Sequence, residues 1–170
     1  SHRGFLNTEY IALDRIPGLK TAQDLSDFGD IKLAKSVQYQ AHKAAHHRSL
    51  NASYQRYVDA APKPAKSDFA TFKTKGGSDL QDFARFEALS EIHGTQWHDW
   101  PTDPDAPPAD RIDFHMWLQW VAAVQLADAQ ARSQAAGMPL GLYLDLAVGS
   151  RRDGAESWCE QAAVAQGVSI

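Results

Sequence analysis

The chain has 170 residues, 44% apolar and 22% charged, a balance that supports a packed core and excludes wholesale disorder. A formal net charge of −4, with the 17 Lys and Arg scattered along the chain, argues against a nucleic-acid backbone or an anionic membrane as partner. No apolar run reaches the roughly 20 residues that cross a bilayer, and the single cysteine, Cys159, fits a reducing, cytoplasmic setting.

The chain begins Ser-His-Arg and stops at Val168-Ser169-Ile170, and both ends read as cuts, which leaves a signal peptide undecided. Residues 1–20 have an irregular texture, with Phe5, Leu6, Tyr10, Ile11, Leu13 and Ile16 broken by Gly4, Asn7, Pro17 and Gly18. Residues 21–30 read as a polar, turn-rich loop or a short helix. The three- and four-residue spacing of Leu33, Val37, Ala41, Ala44, Leu50, Tyr54 and Val58 predicts a helix over 31–60, weakest at Asn51 and Ser53. Pro62 and Pro64 end it.

Ser67-Asp68 then caps a short helix bearing Phe69 and Phe72 and closed by Gly76-Gly77. Ser78-Asp79 opens the next, whose face is Leu80, Phe83, Phe86, Leu89 and Ile92, and Gly94 stops it. A loop with Trp97, Trp100 and several Pro and Asp leads to Asp110, the N-cap of a long helix over 111–136. Its buried side runs through Ile112, Met116, Trp120, Val124, Ala127 and Ala131, broadened by Phe114, Trp117 and Val121. Gly137 suits the position after its end.

Residues 139–149 follow, an apolar run bounded by Pro139 and Gly149 and carrying one carboxylate, Asp145. Such a run predicts a strand buried on both faces, as in a parallel sheet. After it the chain returns to polar residues, and 155–165 is weakly helical.

Asp145, at the C-terminal end of a predicted strand, has the position of an active-site carboxylate in an α/β barrel; capping the next loop is the alternative. Asp153 and Glu156 lie beyond, where solvated surface charge is the plainer reading. Trp158 can stack on a ligand or pack a core. Trp117 and Trp120 fall on an apolar helix face and belong to the core, which leaves Trp97 and Trp100 as the exposed pair for stacking on a sugar. His42 and His46 are four apart but lack a third ligand, so a solvated helix face is favoured over a metal site. His93 and His98 belong to a polar-aromatic surface. Cys159 has no activating partner, and no phosphate loop, nucleophile elbow or paired-cysteine zinc spacing occurs.

Together, Phe114-His-Met-Trp-Leu-Gln-Trp120, Gln125, the run from Gly137 to Gly149 and Asp153-Gly-Ala-Glu-Ser-Trp158 resemble the bacterial 4-α-glucanotransferases. These are the amylomaltases or disproportionating enzymes of glycoside hydrolase family 77. Ser1 to Asn7 with Tyr10-Ile11 resembles the segment after that family's Ser-Pro-Tyr motif, and 97–101 resembles the end of its helical insertion. Thr8-Glu9 after Asn7, Leu144 and Ser150 depart from the family pattern, which has Pro after the Asn, commonly Arg at the second position and Val at the third.

The resemblance implies an α/β fold class: part of a (β/α)₈ TIM barrel, dominated by an α-helical insertion subdomain (residues 1–108) and followed by one barrel helix, the buried third strand and its loop (109–170). It implies retaining transfer of α-1,4-glucan segments between maltooligosaccharides, with no cofactor or metal and neither nucleic acid nor membrane as partner. On this alignment Asp145 is an active-site support residue of the third strand, and Asp153 and Trp158 lie in the loop beyond it. The nucleophile, acid/base and third catalytic carboxyl belong to later strands whose motifs do not occur here. The chain alone is therefore expected to be inactive and to expose apolar faces. The competing readings are a non-catalytic glucan-binding module built on Trp97 and Trp100, and part of another α-amylase-clan enzyme.

Overall fold

The computed structural model describes residues 4–19, 28, 36, 38–145 and 149–163. The expected turn-rich stretch (apart from Phe28), the helix start near residue 31, the strand residues 146–148 and residues 164–165 lie outside these. The described residues form four α-helices, α1 (Tyr39–Ala60), α2 (Lys63–His93), α3 (Ala109–Ala135) and α4 (Ala155–Cys159). Single 3₁₀ turns stand at Thr8–Tyr10, Leu13–Arg15 and Trp97–Asp99. Among the described residues no strand occurs and no helix is long and apolar enough to cross a membrane.

Prolines act here as starters more than as breakers. Pro62 is the N-cap residue of α2 and Pro64 lies in its first turn, where a missing amide proton leaves no helical bond unmade. The helix therefore begins before Ser67, the expected cap. The two helices expected on either side of Gly76-Gly77 are joined across a kink at Gly77, whose φ of 55° and ψ of −146° suit only glycine. In the second half of α2, Leu80, Phe83, Phe86 and Leu89 are buried as expected, but Ile92 is 56% exposed. Likewise Pro108, not Asp110, is the N-cap residue of α3, and Asp110 sits in its first turn.

The buried face of α3 is narrower than its hydrophobic pattern. Phe114, Trp117, Leu118, Trp120 and Val121 are buried, whereas Val124 is 40% exposed and Ala127 and Ala131 are exposed. Only the first half of the helix is covered by neighbours. α3 ends in a two-bond cap: the Met138 amide donates to the Ser133 carbonyl (3.1 Å) and the Gly137 amide to Gln134 (3.0 Å), with Gly137 at φ 94°.

Two apolar clusters result. The larger joins Ile11, Leu13 and Ile16 with Leu50, Tyr54 and Tyr57 of α1, Phe69 of α2, and Phe114, Trp117 and Trp120 of α3. Most of their rings meet at tilted or edge-on angles, as between Tyr57 and Trp120 at 5.5 Å, while Phe114 and Trp117 are stacked at 6.4 Å. The smaller joins Phe83, Phe86 and Leu89 of α2 with Trp100 and Ala155, flanked by Phe5, Trp97 and Trp158.

The expected buried strand is corrected for its described residues. Residues 141–145 have no regular structure, and Leu140, Tyr143 and Leu144 are 83%, 96% and 65% exposed. A parallel strand is buried only when neighbours accept its hydrogen bonds on both edges and helices cover both faces. No such neighbour exists among the described residues. The segment is held instead by Gln130 of α3, whose amide donates to the Leu140 carbonyl (3.0 Å) and whose oxygen accepts from the Leu142 amide (2.6 Å).

Candidate functional site

A cleft of about 540 Å³ opens between the two clusters, with α1, α2 and α3 as its floor and the segments around Asn7 and Asp153 as its rims. One rim is built by glutamines. Gln119 accepts from the Leu6 amide and donates to the Leu6 carbonyl, both at 2.9 Å. One helical stretch further on, Gln125 accepts from the Ala12 amide (2.8 Å) and donates to the carbonyls of Ala12 (2.9 Å) and Arg15 (3.1 Å). These two amides use α3 as a surrogate sheet edge for an extended segment whose backbone groups would otherwise lack partners.

The floor centres on Glu91. Its carboxylate accepts from Arg111 Nε (2.8 Å) and Nη2 (2.6 Å) and from His115 Nε2 (3.0 Å), and His47 Nε2 lies 3.6 Å away. Asn51 Nδ2 donates to His47 Nδ1 (3.1 Å), which assigns the ring proton to Nε2 facing Glu91, and Asn51 Oδ1 accepts from Arg111 (2.6 Å). Burial alone would raise the Glu91 pKa, but the bonds from His115, His47 and Arg111 outweigh it and hold the carboxyl well below its usual range. Glu87, one turn earlier, behaves in the opposite way. Burial pushes its pKa up against the opposing pull of His115 and Lys43. It forms no hydrogen bond or ion pair with another described residue.

Opposed carboxyl pKa values can mark an acid and a nucleophile. Here the second role is closed, because the oxygens of Glu91 are occupied by a forked guanidinium and two imidazoles. This floor can bind and orient a ligand, and Glu91 is a joint between three helices.

The other rim carries Asp153, which accepts from Arg151 (2.8 Å) and Gln96 (3.2 Å). Burial would raise its pKa, and the Arg151 bond with a backbone amide lowers it overall. The loop is pinned by the buried Ser157 hydroxyl, within 2.7–3.0 Å of the carbonyls of Arg151, Arg152 and Gly154. Trp97 Nε1 donates to the Arg152 carbonyl (3.1 Å) and to Ser157 Oγ (3.3 Å).

The structure thus separates the residues singled out in the sequence. Asp153 lines the cleft. Asp145 is exposed on the irregular segment after α3, outside the cleft lining. Trp158 is half-buried against Phe86 (5.7 Å) and Trp100 (6.1 Å), with the Arg85 guanidinium 6.0 Å from its ring. The expected exposure of Trp97 and Trp100 as a pair is corrected: Trp100 is only 9% exposed, its ring against Phe86 and its N–H donating to the Gly94 carbonyl (2.9 Å). Trp97 is half-buried and stacks on His98 at 3.7 Å. Both tryptophans face inward because α2 turns back at Gly94 and lays the loop across its own apolar face.

Of the histidine pair, His42 is exposed, while His46 is buried and donates to the Ile11 carbonyl (2.9 Å), a core role. Partial burial and the nearby Asp82 and Glu160 push the Cys159 thiol up to about 11, which keeps it protonated. Sequence reasoning missed Glu87, Glu91 and Arg111, and it took His115, Gln119 and Gln125 only as carriers of the family resemblance, without a role. The available signal was His115 and Gln119, polar residues inside the most apolar helical face of the chain.

The fold has a solved counterpart: amylomaltase from Corynebacterium glutamicum superimposes with a TM-score of 0.62, at 26% identity, over 92% of this chain and 23% of that one. The family model described as 4-alpha-glucanotransferase matches residues 1–170, and the chain belongs to this family, glycoside hydrolase family 77. The 4-alpha-glucanotransferase of Mycobacterium tuberculosis (strain ATCC 25618 / H37Rv) is 37% identical over 191 aligned positions, 98% of this chain and 25% of the relative. That of Thermus thermophilus is 25% identical over 122 positions, 65% of this chain. The chain spans about a quarter of the length of the mycobacterial relative.

Proposed function

We propose that the protein containing this chain is a 4-α-glucanotransferase, which moves α-1,4-glucan segments between maltooligosaccharides. The observation that carries this reading is the mycobacterial similarity, 37% identity across 98% of the chain. The reaction is a retaining double displacement: a carboxylate displaces the leaving sugar with help from a carboxylic acid, and a sugar hydroxyl then displaces the carboxylate.

Within that protein, residues 1–108 are the helical insertion, and 109–170 supply a barrel helix, the third strand and its loop. The exposure of Leu140, Tyr143 and Leu144 supports this reading, since apolar residues of a buried strand are left bare where its neighbours are missing. Asp145, Asp153 and Trp158 act as walls and supports of the sugar site. The chain alone does not catalyse transfer, because a retaining pair needs two free carboxyls about 5 Å apart, and the cleft carboxylates Glu91 and Asp153 are engaged by Arg111 with His115 and by Arg151 with Gln96.

The test is maltotriose disproportionation by the protein containing this chain, as parent and as Asp145→Asn. Glucose and longer maltooligosaccharides from the parent, with kcat reduced at least about tenfold in the variant, support the reading. No transfer by the parent overturns it.

A further inference from the structure

The turn that presents Asp153 to the cleft is held by two side chains outside it. Residues 151–154 form this turn, closed by the Gly154 amide, which donates to the Arg151 carbonyl (3.1 Å). The Ser157 hydroxyl, 1% exposed, lies 3.0, 2.7 and 2.8 Å from the carbonyls of Arg151, Arg152 and Gly154, which bracket Asp153 on both sides. Four oxygens therefore converge where there is one hydroxyl proton, and that proton serves one carbonyl at a time. Trp97 Nε1 brings a further proton to the same point, shared between the Arg152 carbonyl (3.1 Å) and Ser157 Oγ (3.3 Å). Trp97 comes from the connection between α2 and α3, 55 to 60 positions away along the chain.

Its neighbour Gln96 donates to the Asp153 carboxylate (3.2 Å). Arg151 also holds that carboxylate (2.8 Å), but it belongs to the same turn and moves with it. The place of the carboxylate relative to the helices thus depends on Gln96 and on what keeps the turn against Trp97. The Trp158 ring, packed on Phe86 and Trp100, anchors α4 itself and leaves the 151–154 backbone to the hydroxyl and the indole. We propose that Ser157 and Trp97 are positioning residues for Asp153: together they lock its turn against the α2–α3 connection and so fix how the carboxylate meets the cleft. That Asp153 walls a sugar site rests on the function proposed above. The lock itself rests on the hydrogen bonds alone.

The experiment uses the protein that contains this chain, as parent, Ser157→Ala, Trp97→Phe, Asp153→Ala and Ser157→Ala/Asp153→Ala. It measures maltotriose disproportionation and, by mass spectrometry, hydrogen exchange of the 151–158 peptide. Trp97→Phe keeps a ring and removes the N–H, so it tests the lock even where Ser157→Ala fails to fold. Each of these two variants is expected to speed exchange of the peptide at least about tenfold, with exchange within α3 unchanged. In Ser157→Ala and in Asp153→Ala, kcat/KM falls at least about tenfold, and the double variant is no worse than Asp153→Ala. A merely structural role would lower activity by the same factor with or without Asp153, and that result overturns the proposal. Parent-like exchange in both Ser157→Ala and Trp97→Phe also overturns it, and leaves the proposed function standing if the parent transfers glucan. Accelerated exchange in a protein that transfers no glucan, or whose transfer is indifferent to Asp153→Ala, counts against the function proposed above and keeps the lock.

Discussion

Glu91 and Glu87 stand one helical turn apart and respond to pH with opposite signs. The Glu91 pKa is lowered in the folded chain, so the stability it contributes is complete above the ordinary carboxyl range, about 4.3, and is lost as the pH falls further. The Glu87 pKa is raised, so the folded chain holds more protons than the unfolded one between that ordinary range and the raised value. Stability there declines as the pH rises. Urea unfolding from pH 4 to 8 checks both. Glu87→Gln should flatten the decline toward neutral pH, and an unchanged slope would contradict the burial argument. Glu91→Gln should cost about 1–3 kcal/mol near neutral pH, because Arg111 and two histidines lose a charged acceptor. None of this was legible from one sequence. The i,i+4 spacing of two glutamates is commonplace, and the partners of Glu91 lie 20, 24 and 44 positions away along the chain.

At the level of elements, α3 was the most legible part of the chain. Its aromatic spacing placed Phe114, Trp117 and Trp120 in the core, and Phe114→Ala, at 0% exposure, should cost about 3–5 kcal/mol in chemical denaturation. The two glutamine clamps were not legible, since an amide side chain shows its backbone partner only in three dimensions. Gln119→Leu removes both bonds to Leu6 and strands its amide and carbonyl. It should cost about 1–3 kcal/mol and speed limited proteolysis near residues 5–9; protection equal to the parent would show that the rim is held otherwise. The run after Gly137 is irregular in its described residues for an instructive reason. Its composition describes a strand that neighbours must complete, and composition cannot say whether those neighbours are present. Exposed Trp97 and Trp100 were likewise inferred from a loop that α2 in fact covers.

At the scale of the whole molecule, the two apolar clusters of the described residues and the polar cleft between them account for which of these residues matter, and family membership accounts for why they are together. The resemblance read from Phe114–Trp120 and Gly137–Trp158 was enough to reach the family, because these stretches combine core spacing with particular polar residues. The cleft's wiring needed coordinates. The central claim is that this chain builds walls of a glucan-transferring site and leaves the bond-breaking carboxyls to other segments of the protein. The most direct measurement is the product distribution from maltotriose, comparing the protein that contains this chain with the chain alone. The account predicts glucose plus longer maltooligosaccharides from the former and unchanged maltotriose from the latter. Disproportionation by the isolated chain, or no transfer by the protein that contains it, would contradict it.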